Sequence, residues 1–243
     1  NAHPPGAVLL ALPFGLLEYR AAYLLWSVAS LICLGLSFWL LLAAGQRQRG
    51  GLAGLGLLTL VVSGNAFTHQ MIQGQLNLVL LALIAGAWSA DRRDLPATSG
   101  VLIGVAAAIK LFPAFLLLFH VAQRKWRAVA GTVVGFLAFN GLGCLLFGAQ
   151  AYRDYFLRVA PDVAKFRDTW PNASLLGFWS KLFDGAHGHV LPLWHSPSAA
   201  RTLTVLSCLV LVAATLWSVA WISRSAGRAS AGGLCFCGGP VRH

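Results

Sequence analysis

Ala21 to Ala44 runs for 24 residues without a charged side chain. A stretch of about 20 apolar residues is what a helix needs to cross the hydrocarbon core of a bilayer. Several further stretches approach that length, and the composition agrees: 58% of residues are hydrophobic and only 10% charged. The sequence therefore reads as an all-α integral membrane protein, a multi-span helical bundle whose packing happens between helices. The formal charge of +11 does not indicate nucleic acid, because most cations flank apolar spans. That distribution is the positive-inside signature.

The spans are expected at about 21–44, 51–62, 76–90, 129–146 and 202–222, in one transmembrane domain covering 1–231. Gly6 to Leu17 is too short to cross and reads as an interfacial or re-entrant helix. Ser63 to Gln75 reads as a polar extracytoplasmic turn, and 147–200 as a long extracytoplasmic loop. Cys33, Cys144 and Cys208 lie in apolar spans and read as small hydrophobes. Cys235 and Cys237 lack a second ligand pair at metal spacing. No metal or cofactor is expected. Asn1-Ala2-His3-Pro4-Pro5 reads like the middle of a protein, and 232–243 as an irregular tail, so an incomplete chain is expected.

Residues 98–122 carry a conflict. As one span they would put Arg92-Arg93 and Arg124-Lys125-Trp126-Arg127 on opposite faces. A short helical hairpin, with arms Thr98–Ile109 and Pro113–Ala122, keeps both clusters cytoplasmic, as the charge rule asks. Pro113 suits the first turn of the second arm, where no backbone donor is missed. Lys110 then sits at the tip. A lone cation at that depth points to function, unless it snorkels to the interface. The ligand that best matches it is a lipid phosphate.

The same face gathers His3, His69, Gln75, Asn77 and Asn172, with aromatics interleaved through 147–200. Rings that stack on sugar faces and amides that take hydroxyls suit a carbohydrate site. They equally suit helices lying on a membrane surface.

His3-Pro4-Pro5, Gly74-Gln75-Leu76-Asn77-Leu78, Ala107-Ala108-Ile109-Lys110-Leu111-Phe112-Pro113 and Asn172-Ala173-Ser174-Leu175-Leu176-Gly177-Phe178 follow in one order. In combination they resemble glycosyltransferase family 87, polyprenyl-phosphate-mannose-dependent mannosyltransferases of GT-C fold in the bacterial plasma membrane. The resemblance implies a hexosyltransferase that moves mannose from a polyprenyl-phosphate carrier to an extracytoplasmic glycolipid or glycan acceptor. Lys110 would bind the donor phosphate, and His3, His69, Gln75, Asn77 and Asn172 would line the substrate pocket. The family's catalytic Asp is expected in a loop that would precede Asn1, so no catalytic residue is assigned. The alternatives are a lipid or lipid-linked-sugar transporter, for which no paired halves are seen, and a non-catalytic membrane fragment.

Overall fold

A computed structural model describes residues 3–44, 50–162, 174–185 and 190–233. Asn172, the basic run Gln46 to Arg49, the loop charges Lys165, Arg167 and Asp168, and the tail from Leu234 lie outside the described residues. The described chain is helical, as the apolar runs require, and it divides into two compact units, residues 3–155 and 156–243.

The first unit opens with a short helix, α1 (Pro5–Val8), and a helical turn at Leu12–Phe14. It continues with α2 (Tyr19–Ala44), α3 (Gly50–Ser63), α4 (Asn65–Ile72) and α5 (Asn77–Arg92). Then come α6 (Pro96–Ile109), a tight helical turn at Phe112–Leu116, α7 (Leu117–Ala122) and α8 (Trp126–Asp154). The second unit holds α9 (Ala160–Asp162), α10 (Leu175–Phe183) and α11 (Pro197–Gly233). Among the described residues, three helices are long and apolar enough to cross a membrane, those beginning at Tyr19, Trp126 and Pro197. A fourth crossing exists if α4 and α5, bent by 113°, count as one span.

Residues 63–75 differ from their expected turn, because Asn65–Ile72 is helical. That stretch is polar but contains no helix breaker, and helical backbone satisfies its own hydrogen bonds at membrane depth. The 147–200 stretch likewise carries α9, α10 and the start of α11, which begins at Pro197 rather than Thr202. Proline is favoured at a helix start, where its missing donor is harmless.

The core of the first unit is built on small residues. α6 and α8 run parallel, with backbones in contact. A Cβ on Gly100 would fall on the Ala128 carbonyl and 2.9 Å from the Thr132 nitrogen. One on Gly104 would fall on the Thr132 carbonyl and 2.7 Å from the Phe136 nitrogen. From the other side, Gly131 and Gly135 leave no room between their backbone and Ala97 or Val101. Two interlocked Gly-x-x-x-Gly stripes thus set the pair, which is how helices without a hydrophobic drive approach closely. α5 lies between α2 and α6, where Gly86 faces Leu102 and Leu40. α8 breaks at Gly148, whose φ of 79° no helix tolerates. The break lets Tyr152 Oη donate to the Asn140 carbonyl at 3.0 Å. Those residues would stand about 18 Å apart in a straight helix.

α6 ends at Lys110, where the backbone turns extended (φ −141°, ψ 137°). The chain then returns through buried Pro113 and α7. Its end is fixed by Lys125, whose ammonium donates to both Asp91 oxygens at 2.6 and 2.7 Å. Residues 96–125 therefore form a hairpin, with Lys110 at one end and the Asp91–Lys125 pair at the other. α6 has 14 residues, so those ends are about 21 Å apart.

Candidate functional site

Three turns in this unit share one construction. After α4, the Gln75 N–H donates to the Gln70 carbonyl and the Gly74 N–H to the Met71 carbonyl. This six-to-one and five-to-two pair caps a helix and needs a left-handed residue, here Gly74 at φ 58°. The α5 and α7 ends repeat it with Asp94 and Arg124, both at φ 56°. The Gln70 side-chain amide also donates to the Gln75 carbonyl. Gln75 is therefore held by a tight turn at the mouth of α5, two residues before Asn77.

That turn meets the hairpin tip. Lys110 Nζ donates to Asn77 Oδ1 at 2.7 Å and to Gln75 Oε1 at 3.4 Å. Gln75 is oriented for this, because its Nε2 donates to Gln73 Oε1 at 2.7 Å. Both partners of Lys110 are neutral amides, and among the described residues no carboxylate pairs with it. Hydrogen bonds solvate the ammonium without neutralising it. The arrangement leaves a fixed, uncompensated cation at the hairpin tip. His3 stands close enough to feel that charge; burial first, and then the Lys110 ammonium, hold its imidazole below the ordinary range.

Beside the cluster lies a cavity of about 580 Å³, sharing His3 and Gln75 with it. Its walls include Phe14, Tyr19, Tyr23 and Trp26, together with Gln73 and Gly74. Tyr19 and Tyr23 stack with centroids 6.4 Å apart, and Phe14 meets Trp26 edge-on at 5.5 Å. Tyr23 Oη donates to the Met71 carbonyl at 3.2 Å, tying α2 to the Gly74 turn. The Trp26 indole N–H is buried without a hydrogen-bond partner among the described residues. A cavity of aromatic faces with a few amides is the usual chemistry of a small-molecule site.

Of the residues singled out from sequence, the structure brings His3, Gln75 and Asn77 around Lys110. His69 is exposed on α4 and makes no side-chain hydrogen bond among the described residues. It is not among the residues that line the cavity described above. Tyr19, Tyr23, Trp26 and Gln73 were not singled out. The first three share one helical face at spacings of four and three, a signal that was present.

Fold and site together define a polytopic membrane protein with a hydrogen-bonded, unneutralised lysine beside an aromatic cavity. The sequence profile of glycosyltransferase family 87 matches residues 1–240, and the chain belongs to that family. It is similar to a polyprenol-phosphate-mannose-dependent alpha-(1-2)-phosphatidylinositol pentamannoside mannosyltransferase of Mycolicibacterium smegmatis. Identity is 30% over 179 residues, covering 69% of this chain and 42% of that protein. An alpha-(1->3)-arabinofuranosyltransferase of Mycobacterium tuberculosis is 26% identical over 178 residues, covering 72% of this chain and 40% of that protein. The chain thus spans about two fifths of the length of these relatives. No solved structure matches it.

Proposed function

We propose that residues 3–155 form the carrier-binding part of a membrane glycosyltransferase. Its donor is a hexose, mannose, carried on a polyprenyl phosphate. Its acceptor is a glycolipid or glycan on the extracytoplasmic side of the plasma membrane. The observation that carries this reading is the unneutralised ammonium of Lys110, held by Gln75 and Asn77 at the rim of an aromatic cavity. Family membership and the mannose-dependent relatives support it.

The chemistry follows from the geometry. A glycosyl phosphate breaks its C–O bond as negative charge develops on the departing phosphate. A fixed cation at that oxygen stabilises the transition state more than the ground state. The amides hold Lys110 in place, so no reorganisation is needed at the moment of reaction. The cavity takes the sugar, its apolar faces against Tyr23 and Trp26 and its hydroxyls toward Gln73. Catalysis also needs a base for the acceptor hydroxyl, and no described residue is assigned that role.

The bend at the site also fits a lipid-linked-sugar transporter, because broken helices often mark transport sites. A photoreactive polyprenyl-phosphate mannose would test both readings. Labelling of residues 72–77 or the Tyr19–Trp26 turns, with mannose then passed to a glycolipid acceptor, supports the transferase. Labelling elsewhere refutes the site, and labelling followed by flipping without transfer favours the transporter.

A further inference from the structure

The opposite end of the hairpin carries a second construction with no part in the sugar site. Arg92 ends α5 and Arg93 caps it, the turn after α7 holds Arg124, and Arg127 lies in the first turn of α8. All four are exposed and none is ion-paired among the described residues. Lys125 clasps both oxygens of Asp91, which locks the two turns together and removes Asp91 as a counter-charge. The tied turns then carry four exposed arginines and one further carboxylate, Asp94. Two indoles frame them. Trp88 is 40% and Trp126 63% exposed, and the Arg92 guanidinium stands 5.9 Å from the Trp88 ring centre.

We propose that these tied turns are a binding site for the phosphate of an anionic lipid headgroup. Exposed indoles at a helix end mark headgroup depth, so the arginines lie in the layer where lipid phosphates are. Guanidinium forks match phosphate oxygens in pairs, which ammonium groups do not. Orienting the chain in the bilayer would need the charges alone. The Asp91–Lys125 clamp adds something orientation does not use: it ties the two arginine-bearing turns to each other. Buried His120, whose carbonyl accepts the Lys125 N–H, backs the clamp from inside.

The test is native mass spectrometry of the chain released from nanodiscs of mixed phosphatidylglycerol and phosphatidylcholine. Selective retention of phosphatidylglycerol is expected, falling about fivefold for each arginine changed to Gln among Arg92, Arg93, Arg124 and Arg127. Asp91→Asn discriminates, because it makes the patch more positive while freeing the turns. Retention is expected to fall. A rise or no change would show that charge alone acts, and would overturn the proposal. The exchanged pair, Asp91→Lys with Lys125→Asp, restores the clamp at the same net charge and is expected to restore retention. Failure to restore it, with helix content unchanged by circular dichroism, also overturns the site. Equal retention of inorganic phosphate from phosphatidylcholine nanodiscs would refute a lipid ligand.

Discussion

Gly100→Ala is the sharpest test of the packing that carries the hairpin. The new methyl carbon would fall on the Ala128 carbonyl, 2.8 Å from its carbon and 2.9 Å from the Thr132 nitrogen. These are backbone atoms, so no side chain can swing aside, and α6 and α8 must separate. Overpacking of this kind costs about 1–3 kcal/mol. Alanine also returns up to about 1 kcal/mol of helix propensity relative to glycine. With the full return, the net expectation is a loss of up to about 2 kcal/mol. Gly141→Ala on α8 is the internal control, because a Cβ there meets nothing within 4 Å. It keeps the propensity gain without the clash and should be neutral or stabilising by up to about 1 kcal/mol. Thermal unfolding in a single detergent, followed by helical circular dichroism, reads both. If the two variants melt alike, or Gly100→Ala melts higher, the close α6–α8 contact does not exist as described. The Lys110 seat would then lack its support.

Other consequences are as direct. Arg124→Gly removes a side chain from a left-handed position and should stabilise by about 1 kcal/mol, seen as a higher melting temperature. Tyr152→Phe deletes the bond to the Asn140 carbonyl and should destabilise by about 1 kcal/mol in the same assay. His3 has a folded-state pKa below its ordinary 6.5. As pH falls through that value the unfolded chain takes up the proton first, so stability drops below about 6.5 and is level above it. His3→Gln should flatten that dependence in melts collected between pH 5 and 8.

Much of the architecture is legible because the bilayer imposes it. The uncharged run ending at Ala44 has few other uses, and the basic groups at Arg92 and Arg124 prefer one face. That preference alone called for a turn at Lys110. Pro113 then gave the return arm its start. Gln75 and Asn77 stand out because two amides meet at the mouth of a span, where they can take hydroxyls.

What the sequence hid has physical causes too. Left-handed caps are usually glycine, so Asp94 and Arg124 did not announce the turns they make. The repeated glycines at 100, 104, 131 and 135 carried the helix pairing, yet within apolar runs they look like filler until two stripes are set face to face. Tyr19, Tyr23 and Trp26 share a helical face, but aromatics at a span end look the same whether they meet lipid or line a cavity. His69 shows the converse, since a polar residue near a site in sequence need not line it.

The most direct test of the central claim is the affinity of the nanodisc-embedded chain for polyprenyl-phosphate mannose, before and after Lys110→Met. Methionine keeps the length and removes the charge. Loss of charge-assisted bonds to the phosphate is expected to weaken binding about tenfold to a hundredfold. Sugar-free polyprenyl phosphate should weaken in parallel, because Lys110 serves the phosphate and not the sugar. Unchanged affinity for both carriers would contradict the account, since the cation at the hairpin tip would then hold no phosphate.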